Sequence, residues 1–448
     1  MTQAHKTSVT AAVPNDLEAF FMPFTANRAF KARPRLIARA KDMHYYAPDG
    51  RAILDGAAGL WCTNAGHNRD PIVQAIQAQA ATLDFAPTFQ FGHPRAFELA
   101  SRIAALAPGD LDQVFFCNSG SEAADTALKI ALAYWVARGQ GQRTRFIGRE
   151  RGYHGVGFGG MAVGGLANNR KAFGAMLPGV DHLPHTYNRE HQAYSKGEPE
   201  WGAHLADELE RIVALHSDTT IAGVIVEPMA GSTAVLPAPQ GYLKRLRQIC
   251  DKYGLLLIFD EVITGFGRLG HAFAAERYGV IPDMITFAKG VTSGSVPMGG
   301  VICRKGIHDA FMTGPEHVVE FFHGYTYSAH PLACAAGLAT LDLYRDEDLF
   351  ARARKLEPMW YDAAMSLKGL PNVLDIRCVG LTAAVDLASK PDAVGKRGYE
   401  AMERGFHDEN IMFRIVGDSL AVTPPLIVSE SQIGEIFDKL GKVIKAVA

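Results

Sequence analysis

Hydrophobic positions along the chain change period several times. From about residue 70 the apolar residues Ile72, Val73, Ile76 and Ala80 recur at helical spacing and share one face. Beyond them come short apolar runs of strand length, at 114–117, 145–147, 221–226, 255–259, 284–287 and 300–303, with helical segments between several of them. Strands that are apolar on both faces and separated by helices predict a mostly parallel sheet covered on both sides. The C-terminal part has long helices and then short strands around 373–387 and 411–423. Residues 1–35 read as an irregular arm with an aromatic cluster, Phe20, Phe21 and Phe24, and 35–60 as strand-like pieces around a turn at Pro48-Asp49-Gly50. The expected organisation is an N-terminal arm and part of a small domain over 1–70, a large α/β domain over 71–325 and a C-terminal small α+β domain over 326–448.

Composition narrows the field. The chain has 448 residues, 48% hydrophobic and 21% charged, with a net charge of −2. That balance lacks the basic excess of a nucleic-acid binder and argues against an anionic membrane surface as partner. The first residues contain no apolar core of the kind a secretory signal needs, and no apolar run is long enough to span a bilayer. None of the six cysteines forms a CxxC pair, which points to reduced thiols and a cytoplasmic setting. His182 and His185 lack further ligands nearby in sequence, so no metal site is expected. Small-molecule chemistry remains.

Three strand ends carry ionisable groups, where open α/β sheets bind ligands. Glu227 follows 221–226, Asp260 and Glu261 follow 255–259, and Lys289 lies just beyond 284–287. One such residue would read as a charge leaving the sheet for solvent; three invite a pairing across one pocket. Asn118-Ser119-Gly120-Ser121-Glu122 follows another strand and opens a helix. It reads equally as a capping box or as an anion seat, with Gly120 admitting close approach and Ser121 offering a hydroxyl. Gly155 to Gly160 matches GxGxxG but follows Tyr153-His154 rather than a strand, so a flexible glycine-rich loop is the better account than a dinucleotide site. A phosphate seat, a strand-end carboxylate and a nearby lysine are together what pyridoxal phosphate requires. The lysine forms an imine with its aldehyde, the carboxylate keeps its ring nitrogen protonated, and a ring such as Tyr153 covers one face.

The stretch 226–268, with VEP and IFDEVITGFGR, and FAKG around Lys289 resemble the signature of the class III pyridoxal-phosphate-dependent aminotransferases of fold type I. MPFTANR at 22–28, GLWCTNAGH at 59–67, NSGSEAADT at 118–126, RGYHG at 151–155 and HGYTYSAHP at 323–331 extend the resemblance over nearly the whole chain, nearest to the ω-amino acid:pyruvate group (β-alanine–pyruvate and (S)-amine:pyruvate transaminases). The resemblance implies a large domain with a mixed, mostly parallel sheet and a smaller α+β domain. It implies pyridoxal 5'-phosphate bound covalently to Lys289, which also carries the proton. Asp260 would pair with the ring nitrogen, Val262 pack on the ring's rear face, Gly120 and Ser121 seat the phosphate and Tyr153 stack on the ring. Thr326 would reach the phosphate from a second subunit, making a homodimer with a shared active site; dimer against tetramer stays open. Phe24 and Trp61, with Tyr153, would wall the substrate pocket, and Arg414 would be the mobile arginine that binds a keto acid's carboxylate. In some relatives the position of Glu227 pairs with that arginine. Ala421 stands where some relatives carry glutamine, and TPPLI at 423–427 and WCTN at 61–64 look nearer to the broad amine–pyruvate enzymes. The activity implied is amino transfer from an ω-amino acid or primary amine to pyruvate. The alternatives are an aminomutase or decarboxylase on the same scaffold, or a nicotinamide oxidoreductase built on 155–160.

Overall fold

A computed structural model describes residues 17–174 and 176–448. The apolar runs become a seven-stranded sheet whose order across is Leu111–Cys117, Gly299–Arg304, Met284–Ala288, Leu256–Asp260, Ile221–Val226, Arg145–Arg149 and Val180–Leu183. Only Gly299–Arg304 runs against its neighbours; the other pairings are parallel. The three central strands are buried along their whole length, as unbroken runs of Ile, Val, Leu and Phe require when helices cover both faces. Val180–Leu183 is an edge strand that the hydrophobic pattern does not reveal, because Asp181 and His182 interrupt it.

The helix Gly120–Ala137 lies across this sheet on a face of small residues, burying Ala123, Ala124, Ala127 and Ala131. Small side chains let the helix axis come close, so its N-terminus meets the strand ends. The glycine-rich stretch after it is not the flexible loop expected from composition. Phe158–Val163 is helical, and Gly157, Gly159 and Gly160 sit where a Cβ would collide with Asp125 or with the carbonyl of His154. Close packing, rather than mobility, requires those glycines.

Residues near the two ends of the chain meet. Ala52–Asp55 pairs in parallel with Ile411–Met412, in a four-stranded sheet that also holds Arg39–Lys41 and His44–Tyr46. A second four-stranded sheet orders Val373–Val379, Thr382–Leu387, Ser419–Val422 and Arg414–Val416. Asn27–Ala32 forms a short helix within the stretch expected to be irregular, and the Asn27 side chain bonds both the N–H and the carbonyl of Met22. Phe20, Phe21 and Phe24 lie exposed there, and the rest of the expected arm, 1–16, lies outside the described residues. Among the described residues no helix is long and apolar enough to cross a membrane.

One buried guanidinium ties the C-terminal sheet to the loop at 234–235. Arg377 donates to Asp375 at 2.6 Å and to Asp386 at 2.7 and 2.8 Å, and also to the carbonyls of Ala234 and Val235. Removing it would leave two carboxylates uncompensated. Arg377→Ala is therefore expected to cost about 3–5 kcal/mol in a urea unfolding measurement, whereas a loss near zero would mean that the network contributes nothing net.

Candidate active site

Ile221–Val226, Leu256–Asp260 and Met284–Ala288 are adjacent and parallel, so their carboxyl ends lie side by side. This brings Glu227, Asp260 and Lys289 to one edge of the sheet. Asp260 is 6% exposed and its carboxylate is held from three directions. Oδ1 accepts from Val262 N at 3.1 Å and from the Thr286 hydroxyl at 3.0 Å, and Oδ2 accepts from His154 Nδ1 at 2.8 Å. These donors fix the plane of the carboxylate. Lys289 takes up a left-handed backbone (φ 50°) as the chain leaves the strand into the turn Lys289–Thr292. Its Nζ has no hydrogen-bond partner among the described residues. Desolvation brings the amine down to about 8, while Cys62 and Asp260 oppose that fall and Arg414 adds to it. A lysine poised near neutrality is a nucleophile and a proton carrier.

The stretch 118–122 forms the capped helix start that was expected there. Ser119 caps the helix Gly120–Ala137, its hydroxyl accepting from Glu122 N at 3.2 Å. Glu122 reaches back to Asn118 N at 2.7 Å, so the box closes one residue earlier than the usual pattern. Ser121 Oγ accepts from Val156 N at 3.1 Å, which leaves its own proton free to donate. At Gly120 a Cβ would stand 2.8 Å from a methyl of Val262, so the helix start packs directly against Val262, two residues past Asp260, at this strand end. The helix N-terminus supplies free N–H groups and a positive dipole end to it.

Tyr153 stands between the two halves. Its N–H donates to Glu227 Oε1 at 2.8 Å, and its ring lies near enough to Asp260, Arg414 and Glu227 for all three to bear on its hydroxyl. Glu227 also accepts from Gly231 N at 3.2 Å. Burial pushes its carboxyl up to about 7, with His154 opposing and Asp260 adding to the shift. No ion pair joins Glu227 to Arg414 among the described residues, so the pairing of some relatives is not made here.

Arg414 opens the edge strand Arg414–Val416 opposite Ala421, so its backbone is anchored and only the side chain is free to swing. It has neither an ion pair nor a hydrogen bond among the described residues. Trp61 is 4% exposed, in a cluster with Met229, Ile263 and Ala421. Phe24 is 77% exposed and Thr326 lies on an exposed turn, so within one chain neither joins the other site residues. The sequence pattern did not single out His154 or Thr286. The available signals were a histidine next to Tyr153 and one hydroxyl in an otherwise apolar strand, Met284–Ala288.

The residues present fit pyridoxal phosphate. A free hydroxyl and helix N–H groups can take its phosphate, a carboxylate fixed by hydrogen bonds can face its ring nitrogen, and an unpartnered amine can take its aldehyde. Comparison with known proteins agrees. A family model described as "Aminotransferase class-III" matches residues 25–444. The chain is 57% identical to an omega-aminotransferase of Caulobacter vibrioides over 96% of this chain and 98% of that one. It is 47% identical to a beta-alanine–pyruvate aminotransferase of Pseudomonas aeruginosa over 97% of each. An amine transaminase from an uncultivated Pseudomonas species, solved in its PLP-bound form, superposes with a TM-score of 0.89 at 33% identity, covering 97% of this chain and 100% of that one.

The shift at Glu227 has a sign. A carboxyl raised from 4.5 to about 7 holds its proton more tightly folded than unfolded, so its contribution to stability is present at low pH and is lost as pH rises through that window. Between pH 4.5 and 7 the cofactor-free protein should lose about 3 kcal/mol relative to Glu227→Gln, measured as the difference of their urea unfolding free energies. Parallel pH profiles would contradict a neutral-favouring site.

Proposed function

The chain belongs to the class-III aminotransferases, which depend on pyridoxal phosphate, and we propose that it moves an amino group from an ω-amino acid or primary amine of the β-alanine type to pyruvate, giving an aldehyde or ketone and alanine. The observation that carries this reading is the unpartnered guanidinium of Arg414 near enough to Lys289 and Tyr153 to bear on both. A half-buried cation without a counter-ion is open to an anion, and a keto acid brings a carboxylate. When bound, the cofactor would supply an electron sink for the carbon that gives up its proton. Lys289 would hold it through Nζ and, once displaced as a free amine by the substrate's amino group, would carry the proton from the substrate's amine-bearing carbon to the carbon that accepts it, with the reverse transfer turning pyruvate into alanine. Asp260 favours a protonated ring nitrogen, Gly120 and Ser121 take the phosphate, and Val262 and Tyr153 close the two faces. Trp61, Tyr153 and Phe24 wall the substrate pocket.

The proposed assembly is a cytoplasmic homodimer in which the partner's copy of Thr326 reaches the phosphate. Supporting it, exposed aromatic residues come from the arm (Phe24), from the neighbourhood of Thr326 in sequence (Phe322, Tyr327) and from the segment packed against it in space (Phe85, Phe89, Phe91), where Phe85 and Tyr327 lie 6.1 Å apart ring to ring, more apolar surface than a free monomer ordinarily leaves in water. The division into 1–70, 71–325 and 326–448 is carried forward on the same footing, supported by the pairing of Ala52–Asp55 with Ile411–Met412.

Two substitutions test the roles. Asp260→Asn keeps the size of the group and removes its charge, so turnover should fall by roughly a hundredfold or more; an unchanged rate for the amine half-reaction would remove Asp260 from the chemistry. Arg414→Ala should weaken pyruvate and β-alanine by ~2–5 kcal/mol while leaving an uncharged amine donor nearly untouched when the two half-reactions are measured separately. Equal losses for both would mean that Arg414 supports the fold rather than reading a carboxylate.

A further inference from the structure

Trp61 stands on a backbone that side-chain-bearing residues seldom adopt. Ala58 has φ 45°, Gly59 has φ 65° with ψ −95°, and Trp61 has φ 64°. Positive φ at Ala58 and Trp61, which carry side chains, persists only where the surroundings dictate it. The group that dictates it is Asp55, which is 0% exposed. Its Oδ1 accepts from Ala57 N at 2.8 Å, and its Oδ2 accepts from Gly59 N at 2.7 Å and from His67 Nε2 at 2.6 Å. The Tyr45 ring lies 4.1 Å from the His67 ring, and its hydroxyl fills the space that a Cβ at Gly59 would need.

The far end of the same loop is tied to the lysine's turn. Asn64 donates to the carbonyl of Phe266 at 2.8 Å and accepts from Arg268 Nη2 at 2.7 Å. Ala65 N donates to Ser293 Oγ at 3.0 Å, four residues past Lys289. Trp61 is thus carried on a short loop pinned at one end by a buried carboxylate and at the other by the segment that holds the reactive amine. Its ring packs toward Gly231 and Ile263, beside the strand end that carries Glu227.

We infer that Asp55 is a positioning residue that sets donor selectivity: by collecting the N–H groups of Ala57, Gly59 and His67 it fixes the wound loop that holds the Trp61 ring in the substrate pocket. The inference rests on the reading of Trp61 as a pocket wall. Asp55 does not itself touch the reacting groups. Weakening its hold should let the indole move, enlarging the room for bulky amines and loosening the grip on small ones, with little effect on the amine of Lys289.

The test measures kcat and KM for holoenzyme with pyruvate as acceptor and two donors, small β-alanine and bulky 1-phenylethylamine, in Asp55→Asn, Trp61→Ala and the unsubstituted enzyme. In Asp55→Asn an NH2 group replaces one accepting oxygen against three donors. The ratio of kcat/KM for the bulky donor to that for the small one should rise by about tenfold, in the same direction as in Trp61→Ala. The change should fall mainly on KM, with the pyruvate half-reaction kept within about twofold. If Trp61→Ala shifts the ratio and Asp55→Asn lowers both donors equally or leaves the ratio alone, the inference is overturned while the pocket reading stands. If Trp61→Ala leaves the ratio unmoved, the pocket reading has failed and the inference falls with it. Should Asp55→Asn not accumulate as folded protein, His67→Ala removes one of the three donors and is judged by the same ratio.

Discussion

The carboxylate of Asp260 is the constraint on which the site depends. It ends a fully buried strand, where a polar group must find hydrogen-bond partners. Three donors meet it: the N–H of Val262, the hydroxyl of Thr286 on the adjoining strand and the imidazole of His154. Each comes from a different piece of backbone, so this set of hydrogen bonds requires the parallel register of Leu256–Asp260 with Met284–Ala288 and the docking of the 153–160 segment. That docking in turn requires glycines at 157, 159 and 160, since the segment lies against Asp125 of the covering helix. A fixed negative charge within reach of a lysine that desolvation has brought to about 8 is the electrostatic centre of the pocket.

Glu227 differs from Asp260 although both follow central strands. Its two oxygens accept only from backbone N–H groups, those of Tyr153 and Gly231, and its neighbours include the Asp260 charge. It is consequently biased toward its neutral form, and Arg414 is left free of an internal counter-ion. An enzyme that must take a carboxylate-bearing substrate in one half-reaction and an apolar amine in the other needs a cation that is not already neutralised by its own protein.

The central sheet was legible because fully buried strands are unbroken apolar runs, and the placing of Asp260 and Lys289 at neighbouring strand ends was legible because a charge directly after such a run has few places to go. That Gly120 and Ser121 open a capped helix was legible from Ser119 and Glu122. His154 and Thr286 were not legible, because their importance lies in hydrogen bonds between segments distant in sequence. The same holds for Asp55, whose three donors surround a loop with no periodic pattern. The run at 155–160 misled for a related reason: glycines demanded by close packing and glycines that confer flexibility are the same letters. Thr326 and Phe24 were given roles only by the family resemblance, and both are exposed in the chain.

The account turns on one amine holding the cofactor at the edge of that sheet. Borohydride reduction of the holoprotein, followed by proteolysis and mass mapping, tests this directly. The pyridoxyl group should be recovered on Lys289 alone, in the peptide containing Phe287-Ala288-Lys289-Gly290. Recovery on another lysine, or loss of the chromophore without any labelled peptide, would contradict the site as built here.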